Sequence, residues 1–398
     1  MSAPTPHPPA APTRWVSLDA YRGAIMLLMA SAGLGLPQIA KAHPDNTLLS
    51  VLGRQCEHAA WGGCTLWDLI QPAFMFMVGV ALPWSLASRR ARGATTAQLT
   101  AHALRRSLIL VLLAVFLTSA WSPRTEWIFP NVLAQIGLGY PLLFLAALTR
   151  PRTQAILAAA LLAGTWLIFA VYPLPPPGFD PATVGVTPDL PQFTGWAAHW
   201  NKNTNAAAAF DVWFLNLFPR TQPFTYNEGG YQTLNFLPSI ATMIFGLLAG
   251  QLLRSATPRR SQLRILMLAG LGGILVGGLL GWTGICPIVK RIWTPSWALF
   301  SGGWVVWILV AFVELVDERG WRRGTLPLVV AGTNPITLYC LWQLSGGFIR
   351  ENVKRHLGSG IFESFGPPYT ATLERGTILV VLWLILYWMY RRNLVIRI

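Results

Sequence analysis

Charge is what this chain has least of. Only 11% of its 398 residues are charged, about half the share of a soluble globular protein. Acidic residues are the scarcer kind, 15 against 30 Lys and Arg. Cysteine is rare as well: four residues and no paired CxxC exclude a zinc ribbon or a disulfide-dense scaffold. No HExxH motif is present, and no metal is expected. "AQIGLG" has glycines but no following Lys-Ser/Thr, which excludes a phosphate loop of the P-loop type. The first residues, "MSAPTPHPPAAPT", lack the basic start, short apolar core and small-residue cleavage site of a secretory signal. Their proline density reads as a disordered lead over 1–13.

What the chain has instead is hydrophobic bulk: 53% hydrophobic residues, 19 Trp and 36 Gly. Trp gathers at membrane interfaces, Gly is common in spanning helices, and several runs approach the roughly 20 apolar residues needed to cross a bilayer. The expected fold class is all-α, a polytopic membrane protein of about ten transmembrane helices in one bundle. The spans fall near 16–37, 66–87, 104–121, 129–148, 154–172, 232–253, 264–283, 295–316, 326–345 and 375–391, within 14–398 as one transmembrane domain.

A net charge of +15 would suggest nucleic acid if it formed a patch on a soluble domain. Here the basic residues sit in short loops between apolar runs, so no nucleic-acid partner is expected. With the N-terminus inside, the alternate loops "SRRARG…LRR", "RPR", "RSATPRRSQLR", "DERGWRRG" and "RRNLVIRI", with Arg14, hold 18 of the 30 basic residues against 11 on the other side. The positive-inside rule then puts both termini in the cytoplasm. The long Pro-rich loop 173–231 faces the periplasm and packs over the helix mouths.

Ionised groups inside a membrane need a reason. In "SLDAYRG", Asp19 and Arg22 stand three apart on one helical face, as a self-neutralising pair or with Arg22 receiving an anionic ligand. "QCEHAAWGGCTLWDLI" places His58 at an outer helix mouth and Asp68 ten residues on, either to orient the imidazole or as a helix-end acceptor. Trp61 in the same loop offers an aromatic platform. Asn131 and Gln135 open the fourth span, Glu228 lies at the mouth of the sixth, Lys290 and Arg291 precede the eighth, and Asn334 is buried before Pro335. Each alone is more often interhelical glue than a ligand contact; together they suggest a polar cavity reaching the outer face. "GLGGILVGG" reads as close helix packing.

Taken in order, "SLDAYRG", "HAAWGGCTLWDLIQPAFMFMVG", "IFPNVLAQIGLGY", "NEGGYQTLNFLPSI", "IVKRIWTPSWALF" and "GTNPITLY" span nearly the whole chain. In these motifs the sequence resembles the heparan-α-glucosaminide N-acetyltransferase family of transmembrane acyltransferases, as a shorter bacterial form. The resemblance implies a form without the family's lumenal N-terminal domain and extra first helix. The family's catalytic histidine falls on His58. Its usual asparagine late in helix 1 aligns with Gly33, or with Ser31, and its Gln-Arg in the helix 4 motif reads Ala134-Gln135.

The resemblance implies that cytoplasmic acetyl-CoA, the donor substrate, gives its acetyl group to an amino sugar on the periplasmic side. His58 then acts as general base or transient acyl carrier, and Asp68 supports it. Arg22, Asn131, Gln135 and Asn334 are expected on the donor; Trp61, Glu228, Lys290 and Arg291 on the acceptor. A homodimer stays open, as does the choice between a ping-pong path and a ternary complex. Two rival readings remain: a permease for amino sugars or muropeptide fragments, and an acyl-carrying Cys56 thiol. In an oxidising periplasm Cys56, Cys64 and Cys286 could instead share one disulfide, with Cys340 buried in a helix.

Overall fold

A computed structural model describes residues 15–396; the expected disordered lead over 1–13 lies outside them. Fourteen α-helices are present among the described residues. In chain order they are α1 (Val16–Ala30), α2 (Leu36–Ala42), α3 (Thr47–Gln55), α4 (Ile70–Ala91), α5 (Thr96–Ser119), α6 (Val132–Ala147) and α7 (Pro151–Val171). Then come α8 (Ala206–Leu215), α9 (Phe236–Arg254), α10 (Arg259–Trp282), α11 (Pro295–Phe312), α12 (Leu326–Thr333), α13 (Pro335–Leu357) and α14 (Thr370–Arg391). The protein is an all-α polytopic membrane protein: seven of its helices are long and apolar enough to span, eight if one bent pair counts as a span.

Three of the ten expected spans differ from a straight crossing. The first bends by 48° between Ala30 and Ala32, because Ala32, Gly33, Leu34 and Gly35 all adopt positive φ, which ends an α-helix. The fourth, α6, has 16 residues, roughly 24 Å at 1.5 Å per residue and short of the hydrocarbon thickness. The ninth breaks at Asn334 (φ −130°, ψ 55°), since Pro335 disfavours the helical conformation of the residue before it.

Polarity is arranged for lipid outside and polar groups within. On α5, Leu104, Leu108, Leu112 and Phe116 are exposed, as are Leu268, Leu271, Leu275 and Leu279 on α10. Ser239, Thr242, Ser301 and Gln135 are buried. Lipid offers no hydrogen bonds, so polar side chains turn to the bundle interior. Gly79 of α4 and Gly246 of α9 bring those backbones together: a Cβ on either would lie 1.9 Å from a carbonyl oxygen opposite. The run "GLGGILVGG" does the same for α10, where Gly270, Gly273 and Gly277 face Gly303, Leu299 and Ser296 of α11. Van der Waals packing of this kind holds membrane helices where lipid removes the hydrophobic drive.

The segment 173–231 folds over one end of the bundle. It contains α8 and the fully buried Trp200, and Lys202, Asn203 and Asn205 are also buried there. Lys202 Nζ donates to the Gly185 carbonyl at 2.8 Å, and Asn203 Nδ2 donates to the carbonyls of Val184 and Asn227 at 2.9 Å each.

Candidate active site

The bend after α1 begins the construction of the site. Past it, α2 and α3 form a short hairpin, with Asn46 capping α3 through the Leu49 amide at 3.0 Å. The hairpin delivers the loop 56–65 back to the start of α4. Thr65 Oγ1 donates to the Glu57 carbonyl at 2.6 Å, and the Leu66 amide donates to Gln55 Oε1 at 2.8 Å, closing that loop at its base. Its far side is clamped to the segment before α11. Gly62 bridges Val289, the Gly63 amide donates to the Ile288 carbonyl at 2.9 Å, and Arg291 Nη2 reaches the Ala59 carbonyl at 3.4 Å.

Three ionisable groups meet inside this clamp. His58 Nδ1 is 2.7 Å from Asp68 Oδ1, and Lys290 Nζ is 3.2 Å from the same oxygen and 3.0 Å from His58 Nδ1. Asp68 is 1% exposed and Lys290 5%, whereas the His58 side chain keeps 39% of its surface. The other carboxylate oxygen of Asp68 accepts from the amides of Ala59 and Thr65 at 3.1 Å each, with Thr65 Oγ1 3.0 Å away. A carboxylate held so tightly fixes the ring that leans on it. Burial pushes the Lys290 ammonium down to about 8, against the opposing pull of Asp68.

His58 lines a cavity of about 560 Å³. Its floor is apolar, with Ile25, Met26 and Met29 from α1, Ile70 and Phe74 from α4, and Tyr339 and Trp342 from α13. Polar side chains line it too: Glu57, Gln71, Asn131, Tyr231, Lys290 and Arg375. With Nδ1 turned to Asp68, the imidazole has Nε2 left for whatever enters. A mostly apolar cleft with a few convergent polar groups is the usual form of a small-molecule site. A second cavity, about 100 Å³, is lined by Arg22, Ser85 and Arg106 together with apolar side chains. Phe74 of α4 lines both cavities.

The expected site residues divide accordingly. His58, Asp68 and Lys290 come together, and Asn131 stands at the same cavity, where it also caps α6 through the Ala134 amide at 3.0 Å. Gln135 is set behind the wall, accepting from Gln71 Nε2 at 3.0 Å. Arg291 is a clamp, donating to the Gly229 carbonyl at 2.7 Å and lying over the Tyr231 ring. Arg22 pairs with Asp19 at 2.7 Å and lines the second cavity.

Four expectations need correction. Trp61 offers no platform: its ring is 3% exposed, packed under Gly230, with Nε1 donating to the Trp200 carbonyl at 3.0 Å. Asn334 lines neither cavity; it donates to the Leu394 carbonyl and accepts from the Ile396 amide, both at 2.9 Å, tying down the C-terminal segment. Glu228 is exposed outside the cavity wall. Lys290 is committed to Asp68 and His58 and not open to an acceptor.

The cysteines bear on the rival thiol reading. All four are free, so no disulfide joins Cys56, Cys64 and Cys286, and Cys340 is only partly buried. Burial, then the Glu57 carboxylate, pushes the Cys56 thiol up. Cys64 is pushed up to about 12 by burial and Asp68. A thiol kept protonated is a weak nucleophile.

Four cavity residues carried no notice in the sequence. Gln71 could have been found, because it follows Asp68 by three in an apolar span and so shares its helical face. Tyr231, Arg375 and Arg106 reach the cavities only through tertiary packing.

No family model matches the chain. A search of curated proteins bears out the resemblance carried by the motifs. The chain is 23% identical to the Homo sapiens heparan-alpha-glucosaminide N-acetyltransferase over an alignment 437 positions long, covering 97% of this chain and 60% of that protein. It is 22% identical to the Mus musculus protein of the same name, over 71% of this chain and 48% of the relative. The chain thus spans between about half and about three fifths of these relatives' lengths.

Proposed function

We propose that this relative of the heparan-α-glucosaminide N-acetyltransferases carries an acetyl group across a bacterial inner membrane, from cytoplasmic acetyl-CoA to an amino sugar on the periplasmic side, with His58 as the catalytic base. The observation that carries the reading is the His58–Asp68 contact on the wall of a large cavity, which shares Phe74 with a smaller one lined by Arg22 and Arg106. Acetyl-CoA has an anionic nucleotide end and a slender thioester arm. Arg22 and Arg106 suit its phosphates, and the apolar walls around Phe74 suit the arm, whose thioester then lies in the His58 cavity.

The transfer needs a deprotonated amine and a polarised thioester. Nδ1 gives its proton to the hydrogen bond with Asp68, which leaves the Nε2 lone pair free. As the amine nitrogen bonds to the acetyl carbon, Nε2 takes the proton that the nitrogen loses. The carbon–sulfur bond then breaks, and the CoA thiolate leaves with the proton returned from Nε2. A positioned general base of this kind contributes about 10²–10⁴-fold. Asn131, Gln71 and Tyr231 supply the neutral polar groups that fix a sugar and the thioester oxygen at the mouth. The C2-amine of a glucosamine-like sugar is the acceptor that fits this reading.

Labelled acetyl-CoA and a panel of amino sugars, incubated with the purified protein in detergent, test it. The expected result is label in the N-acetyl group of a glucosamine-like sugar. Absence of transfer, with no thermal stabilisation by CoA and with free passage of labelled sugar through proteoliposomes, would establish the permease instead.

A further inference from the structure

We propose that Lys290 is a positioning residue for His58: its positive charge, set against the inner edge of the imidazole, opposes a second proton on the ring and keeps His58 an uncharged base. This rests on the acetyl-transfer reading of the same site. The geometry starts with the shared oxygen. Asp68 Oδ1 lies 2.7 Å from His58 Nδ1, and an ionised carboxylate only accepts, so Nδ1 must be the donor there. Lys290 Nζ, 3.0 Å from Nδ1, therefore faces a ring N–H and not a lone pair. Its protons are directed to Asp68 at 3.2 Å, and its charge stays beside the ring. A proton added at Nε2 would place two cations 3.0 Å apart around one carboxylate, in a site from which Lys290 is almost wholly removed from water. Like charges at that distance disfavour the second ionisation.

The surrounding groups add little to compensate. Arg291, from the same segment as Lys290, contributes further positive charge, and Arg375 stands on the cavity wall. Burial pushes the Tyr231 phenol up, and the Cys64 thiol likewise, so both stay neutral. Glu57 lies beside His58 but is turned toward Lys41, 3.6 Å away. Asp68 is thus the one buried carboxylate among these groups. Asp68 has anchors besides Lys290, because the amides of Ala59 and Thr65 bind its second oxygen. Removing the lysine should leave the carboxylate in place and change the field on the ring.

Carbethoxylation by diethylpyrocarbonate reacts with uncharged imidazole and needs no turnover. The test follows its rate at His58 against pH by mass spectrometry, in the wild-type protein and in the Lys290→Met, Lys290→Gln and Lys290→Arg variants. In the two neutral variants the midpoint should move to higher pH by about one unit or more, and Lys290→Arg should restore it. The acidic limb of the acetyl-transfer rate should move with it while the donor KM stays within about twofold, as expected of a base whose protonation alone has changed. Coincident midpoints in all four proteins would overturn the proposal, and so would a fall in rate that is uniform across pH. Failure of the wild type to transfer acetyl at all would instead count against the reading beneath it, since the carbethoxylation result stands by itself.

Discussion

At His58 the chemistry turns on one nitrogen. Asp68 engages Nδ1 at 2.7 Å, and everything proposed for the ring follows from Nε2 being the nitrogen left over. Asp68→Asn should therefore cost more in rate than in binding. An amide can offer the ring either a donor or an acceptor, and the donor selects the wrong tautomer. Turnover should fall by about 10²-fold or more, with the KM for acetyl-CoA within about twofold; an unchanged kcat would remove Asp68 from the chemistry. His58→Ala should fold and still be stabilised by acetyl-CoA, yet lose transfer by at least about 10²-fold, the scale of a missing general base. Acetyl trapped on His58 in the wild type would identify the two-step route. The His58–Asp68 pair was legible in the sequence because ten residues of local loop separate its members. Lys290 was visible as a charge, but not as a partner, because it stands 232 residues from His58 and arrives through the Gly62–Val289 bridge. Trp61 misled for a similar reason. An aromatic beside two glycines looks exposed until the Trp200 carbonyl, 139 residues on, seals its ring inside.

Among the helices, hydrophobic runs located the spans and glycines located the contacts, whereas the breaks followed backbone detail. "SAGLGLP" and "GTNP" hold the residues that end α1 and separate α12 from α13, yet an apolar count passes straight over them. The first break is tied to α14, where Thr372 Oγ1 donates to the Leu34 carbonyl and Arg375 Nη1 to the Ala32 carbonyl, both at 2.7 Å. The site-bearing α4 is positioned chiefly by α9. Gly246→Ala puts a methyl 1.9 Å from the Phe76 carbonyl oxygen, so the two backbones must separate, at a cost of about 1–3 kcal/mol. Gly164→Ala in α7 meets nothing within 4 Å and should be neutral or slightly stabilising, since Ala favours a helix over Gly by about 1 kcal/mol. Thermal unfolding in detergent should show a lowered midpoint for Gly246→Ala and none for Gly164→Ala. Equal midpoints would mean that the α4–α9 contact does not set stability.

For the whole molecule, the basic loops are the orientation signal. From the 18-to-11 distribution of Lys and Arg, loop 88–104 is expected in the cytoplasm and segment 173–231 in the periplasm. With the native cysteines replaced, a membrane-impermeant maleimide should label Asp189→Cys in spheroplasts and reach Thr96→Cys only after lysis; the reverse order would invert the protein. If that orientation holds, donor and acceptor need never share a compartment, and this is the claim on which the account depends. Proteoliposomes loaded with glucosamine and given labelled acetyl-CoA from outside test it most directly. Whichever way the molecules insert, a fraction will present the donor end outward. The account predicts N-acetylglucosamine carrying label inside sealed vesicles, with the internal glucosamine retained and the product lost in His58→Ala. Product that forms only when donor and acceptor are on the same side, or an alanine variant that transfers at the wild-type rate, would contradict it.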